Sequence, residues 1–165
     1  MPFPWLLTLA LLMPPSADRA AAVVPSPHVR AVSVPTRMLI DDAVRRSVVV
    51  RELLARLGCT DAIVYVEITA SPQIPRARTK LVASVPGARF LRIGINASIA
   101  FPDLVPLLAH ELQHAVEIAG RDEVRDEAAV RRLYHQIGRA GGVDSFETDA
   151  ALAVELSVRI ELRHR

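Results

Sequence analysis

At 165 residues the chain fits one domain and leaves no room for a second catalytic one, because a single core organises about 100 to 200 residues. It is 51% hydrophobic but only 4% aromatic, so the core must be built from Ala, Val, Leu and Ile; all basic residues but Lys80 are arginine, in keeping with a GC-rich bacterial gene. With a formal net charge of +2 and arginines that alternate with carboxylates, the chain lacks the clustered basic face that a nucleic-acid or anionic-membrane partner requires.

Residues 5–13 form an apolar run too short to cross a bilayer, which takes about 20 residues, and small residues at 20–22 offer a cleavage site. The expectation is a signal peptide over 1–22 and export to the periplasm or the extracellular space, with no membrane span in the mature protein. A Pro-, Ala- and Ser-rich stretch follows, read as a linker over 23–37 that leads into one domain at 38–165. Ile40, Val44, Ser47, Val48, Leu54 and Leu57 fall near helical spacing and predict one amphipathic helix over 39–57, closed by Gly58.

Three β segments come next. Val64, Val66 and Ile68 alternate with polar neighbours over 62–68, 79–85 alternates less cleanly, and Leu91, Ile93 and Ile95 alternate over 89–95. Pro86-Gly87 is a turn signal that makes the last two a hairpin. Asp103 reads as the N-cap of a helix that tolerates Pro106 in its first turn and ends at Gly120. Asp122 starts another helix that reaches Ile137, and a last helix begins near Asp144 or Ser145 after the break at Gly141-Gly142. The order, a helix, a small antiparallel sheet of about three strands and then three helices, is an α+β domain.

The chemistry sits in Leu108-Ala109-His110-Glu111-Leu112-Gln113-His114-Ala115-Val116, where His-Glu-x-x-His lies inside the best-defined predicted helix. Residues four apart are neighbours on one helix face, so the two imidazoles can close on a single ion while Glu111, one step round the cylinder, holds a water beside it. Lone Cys59 excludes a cysteine-rich metal cage, so the ligands must be His and carboxylate. Zinc suits that donor set; it lowers the pKa of a bound water to about 7 and polarises a carbonyl. Glu111 would take the water's proton and later deliver it to the leaving amine. The bland alternative is two surface histidines at helical spacing, against which stand the apolar neighbours Leu107, Leu108, Leu112, Ala115 and Val116.

At these residues the chain resembles the zincin metallopeptidases, and 110–116 is similar to the active-site helix of their gluzincin branch. The resemblance spans roughly residues 63–156 and is specific at the five-residue motif. It implies Zn2+ as cofactor, an extended peptide or protein substrate added as a strand along 89–95, and a third ligand from a glutamate on a later helix, for which Glu147 is the candidate. Glu147 also completes a capping box with Asp144. Glu117, on the face of His110, is the rival, either as an orienting carboxylate or as a solvated one. The metzincin branch is excluded, because Glu117 stands where its glycine would be and its later histidine is missing. Gluzincins often place an aspartate four residues after the ligand glutamate to steady a histidine; that position is Ala151 here, with Asp149 as a substitute. Tyr134 or His135 would donate to the oxyanion, and Tyr134 joins Glu111 as the expected catalytic pair.

The leading expectation is therefore a zinc metallopeptidase. Its alternative is a non-catalytic, zinc-stabilised binding or structural protein that keeps the helix; a metal-free helical interaction module is a third possibility, compatible with the alternating Arg and Glu faces. The motif is silent on oligomeric state.

Overall fold

The computed structural model describes residues 26–74, 76–142 and 145–164, so the expected signal peptide and Asp144 lie outside the described residues. In chain order the elements are β1 (Val29–Ala31), α1 (Val34–Arg46), α2 (Val48–Gly58), β2 (Ala62–Thr69), β3 (Ala77–Val85), β4 (Ala88–Asn96), α3 (Phe101–Ala119), α4 (Glu127–Ile137), β5 (Arg139–Gly142), β6 (Ser145–Glu147) and α5 (Asp149–Arg163). The class is α+β, as the element order predicts. Among the described residues no helix is long and apolar enough to cross a membrane.

The main sheet has the order β1-β2-β4-β3 and is mixed where an antiparallel one was expected: β2 runs parallel to both β1 and β4, and only the β3–β4 pair is antiparallel. Burial explains the arrangement. Leu91, Ile93 and Ile95 of β4 and Ala62, Val64 and Val66 of β2 are buried and need a central position, whereas β3 is mostly half-exposed and takes the edge. The β3–β4 hairpin forms as expected around Pro86-Gly87, with Gly87 at φ 80, in the region open to glycine. Because β4 is paired on both sides, it cannot accept the added strand expected along 89–95; the sheet's edges are β1 and β3, and it is β3 that adjoins β4.

Four boundaries differ from expectation, each for a local reason. The stretch read as linker contains β1 and the start of α1; β1 is too short to display alternation, yet Val29 is buried against β2. The single helix expected over 39–57 is two, broken at Ser47, which is fully buried. Its amide donates to Ala43 O at 2.9 Å and ends α1, while its Oγ accepts from Val50 N at 3.0 Å and starts α2. Helix α3 begins at Phe101 rather than after Asp103; Pro106 then falls in the second turn, where the missing N–H leaves Pro102 O without its helical donor. Helix α5 begins at Asp149 behind the N-cap Thr148, because 145–147 are taken by β6.

The remaining difference has the widest consequences. Helix α4 starts at Glu127, with Asp126 as its N-cap, and not at Asp122. The intervening loop is held open by Arg89, which is in phase with Leu91, Ile93 and Ile95 and is only 1% exposed. Its guanidinium donates to the carbonyls of Ile118 (3.0 Å), Ala119 (2.8 Å), Arg121 (2.7 Å) and Val124 (3.3 Å). It thus caps the negative end of the α3 dipole, and Asp61 balances its charge by accepting from Nε at 2.7 Å.

Helix α3 is covered on all sides, by β3 and β4, by α1 and α2, and by α5. Residues 105–116 are buried without interruption, including His110, Glu111, Gln113 and His114. An amphipathic surface helix would show one apolar stripe instead.

Replacing Arg89 with Met should cost about 3 to 5 kcal/mol in urea unfolding, since it strands several buried carbonyls and Asp61. Burial alone would raise the Asp61 carboxyl, but Arg89 and Arg125 outweigh it and hold it below the usual carboxylate range. A lowered folded-state pKa contributes stability that is complete above the unfolded value and lost as pH falls through the folded one. Unfolding free energy should therefore decline with acidification below the ordinary aspartate range, and Asp61→Asn should flatten that part of the profile.

Candidate metal centre

The helical spacing of His110 and His114 brings their rings together edge-on, with centroids 4.8 Å apart and Nε2 facing Nε2 at 3.1 Å. Two nitrogens on one tetrahedral ion, each about 2.1 Å from it, stand about 3.4 Å apart, so the gap suits a shared cation. Glu147 enters from the end of β6, with Oε2 at 3.2 Å from His110 Nε2. One donor atom from each of His110, His114 and Glu147 lies within 4.8 Å of the others, and the group could hold a metal ion.

The outer nitrogens show which way the donors point. His114 Nδ1 bonds Glu117 Oε2 at 2.9 Å, which fixes its proton on Nδ1 and turns the Nε2 lone pair inward. His110 Nδ1 lies 3.1 Å from Glu155 Oε2, an ion-pair distance without hydrogen-bond alignment. One nitrogen of each imidazole and a carboxylate oxygen thus converge, and Glu147 Oε2 is buried with no hydrogen-bond partner. A carboxylate oxygen left without a donor beside two converging imidazole nitrogens is a group that a cation would satisfy, so the residues present fit a metal.

The supporting carboxylates are themselves held. Glu117 accepts from Thr148 Oγ1 at 2.7 Å and from Gln113 Nε2 at 3.2 Å. Burial tends to raise its carboxyl, yet His114, Thr148 and Gln113 together keep it below the usual range and anionic. For Glu155, burial is likewise outweighed, chiefly by the hydrogen bond from Arg159 at 2.8 Å. His114 shows the reciprocal effect: burial would lower its pKa, but the bond to Glu117 and the surrounding carboxylates raise it.

Glu111 faces the same space without touching the donor atoms. Its Oε2 accepts from Thr79 Oγ1 at 2.6 Å, and the same hydroxyl lies 3.1 Å from Glu111 O, so edge strand β3 fixes the carboxylate. Burial raises its pKa, opposed by His114, Thr79 and His110. A cavity of about 260 Å³ opens onto this group between β3, α3, α4 and β6, with Thr79, Glu111, His114, Tyr134 and Glu147 in its walls.

The structure therefore gathers His110, Glu111, His114 and Glu147 as the sequence suggests, although Glu147 sits on β6 and not on the last helix. Glu117 supports His114 from outside and does not converge with the donors. Tyr134 lines the cavity, its ring 5.5 Å from His114 and its hydroxyl 3.4 Å from His114 O. Burial, with the nearby carboxylates, drives its pKa far up, so the phenol keeps its proton. His135 is exposed and packs on Phe146, and Asp149 pairs with Arg139 away from the group. Glu155 and Thr79 escaped the sequence reading. Both were signalled by phase: Glu155 lies in the inward stripe Ala151, Val158, Leu162 of α5, and Thr79 faces α3 between Ala77 and Leu81.

Comparison with protein-family models, with curated proteins and with solved structures finds no match for this chain.

Competition titration with a chromophoric chelator should find one divalent ion bound per chain, with Glu147→Gln losing most of the affinity. Glu117→Gln and Glu155→Gln should each weaken binding about 10- to 100-fold while the far-ultraviolet spectrum stays unchanged. Equal affinity in all three variants would place the ion elsewhere.

Proposed function

We propose that the chain is a zinc-dependent metallopeptidase in which Glu111 is the general base. The observation that carries the reading is the convergence of His110, His114 and Glu147 beside a separate buried carboxylate, with Glu111, His114 and Glu147 in the wall of one cavity. A three-ligand His/His/Glu set with room for a further ligand is the donor pattern of catalytic rather than structural zinc. When bound, the ion supplies Lewis acidity, lowering the pKa of a coordinated water to about 7 and polarising a carbonyl.

The protein's own groups account for the proton traffic. Glu111 accepts a proton from the attacking water as oxygen adds to the peptide carbon, and it returns that proton to the amine as the C–N bond breaks. Thr79 fixes the carboxylate that performs both transfers. Tyr134, protonated and in the cavity wall, is positioned to donate to the developing oxyanion once its weak contact with His114 O is exchanged.

The substrate reading follows from the sheet. Strand β3 has a free edge, and 77–81 border the cavity. An extended peptide paired along that edge would carry its backbone past Glu111 and Glu147, which is the geometry of β-augmentation.

With zinc present, the wild-type chain should cleave an unstructured protein such as casein, and chelation should stop the cleavage. Glu111→Gln should retain one equivalent of zinc and lose activity by several orders of magnitude. Tyr134→Phe should lower kcat about 10²- to 10³-fold with little change in KM, as measured on a fluorogenic peptide. A Glu111→Gln variant with normal turnover refutes the mechanism. Zinc-dependent stability with no cleavage of any peptide assigns the site a structural role.

A further inference from the structure

Helix α5 presents a second surface, turned away from the metal centre. Its inward side is anchored on α3 by Ala151 and Val158, both fully buried, while Leu152, Leu156 and Ile160 remain 47%, 60% and 46% exposed. These three are spaced four apart and form one stripe. The polar residues beside them are tied down: Arg159 to Asp103 and Glu155, and Glu161 to the first amides of α2. Val48, whose amide donates to Glu161, and Phe101, two residues from Asp103, are also exposed. A contiguous apolar patch of this kind marks an interaction site more often than idle surface.

The charges on the stripe identify the occupant. Asp149 lies seven residues before Leu156 and Arg163 seven after it, and Leu152 and Ile160 lie four before and four after. At 100° per residue all five fall within an arc of about 80°. The row therefore reads acidic, apolar, apolar, apolar, basic, symmetric in position and opposite in charge about Leu156. A surface with that property is complementary to an antiparallel copy of itself. About a twofold axis at Leu156, Asp149 meets the other copy's Arg163, and Leu152 meets its Ile160, which defines an isologous contact. Small Ala153 and Ser157 flank the row and let two helices approach closely. The existing pair of Asp149 with Arg139 is between two highly exposed side chains and is cheaply exchanged.

We infer that a second copy of this chain docks on the outer face of α5, antiparallel and centred on Leu156, to form a twofold-symmetric dimer. The full chain should sediment as a dimer at micromolar concentration, and Leu156→Glu should sediment as a monomer with an unchanged circular dichroism spectrum. Asp149→Lys should raise the dissociation constant about tenfold, because each copy then opposes like charges twice, and adding Arg163→Glu should restore it.

A residue on the axis meets its own copy. In a Cys59→Ser background, Leu156→Cys should therefore oxidise to a covalent dimer while Val82→Cys on β3 does not. A monomeric wild-type chain overturns the proposal, as does a dimer indifferent to Leu156→Glu or one without the Leu156→Cys crosslink. If the chain is a monomer and the Leu156→Cys thiol is shielded from maleimide, the apolar run at 5–13 is the occupant instead.

Discussion

Burying His110, Glu111 and His114 along one helix commits the rest of the protein to supplying partners for them. An ionisable group without a partner in such surroundings costs several kcal/mol, so each must be answered locally. The answers come from separate parts of the chain: Thr79 from the sheet edge, Glu117 from the next turn of α3, Glu147 from β6 and Glu155 from α5. The polar group at the centre is consequently where β3, α3, β6 and α5 are joined to one another. Its chemistry and the tertiary arrangement are one set of interactions.

Arg89 fixes the other coordinate of the same helix. The guanidinium grips carbonyls at the end of α3 from the first residues of a central strand, so the helix cannot slide along the sheet without breaking them. One residue of slippage corresponds to about 1.5 Å along the axis. That displacement is enough to break the Glu111–Thr79 bond, which joins α3 to β3 and depends on where the helix stops. Arg89 thereby sets the register in which the face bearing Glu111 meets β3.

Legibility in the sequence followed length and period. Strands β2, β3 and β4 and helix α3 show enough alternation or i, i+4 spacing to be placed within a few residues. Strands β1, β5 and β6 are too short to express a period and went unread. The break at Ser47 carries no Gly or Pro; one buried serine uses both its amide and its hydroxyl there. The parallel pairing of β2 with β4 reflects which strand of the hairpin is the more apolar, a comparison that sequence adjacency conceals. At the site, His110, Glu111 and His114 follow from spacing alone, whereas Glu147 needed a resemblance because its carrier is a strand outside the main sheet. Arg89, Thr79 and Glu155 share a lesson: a polar residue in phase with an apolar stripe has a buried partner to be found.

Glu147 is carried by a two-stranded ribbon paired only to itself, and such a ribbon is marginally stable in isolation. The two imidazoles belong to the most enclosed helix of the fold, while their carboxylate companion rides on one of its lightest parts. Whatever neutralises the three donors therefore acts as a clasp between the enclosed helix and the ribbon, and α5 starts at the next residue but one after that ribbon. A cation held by these donors would tie the order of the ribbon and the seating of the last helix to its own occupancy, so that its gain or loss would be felt in shape.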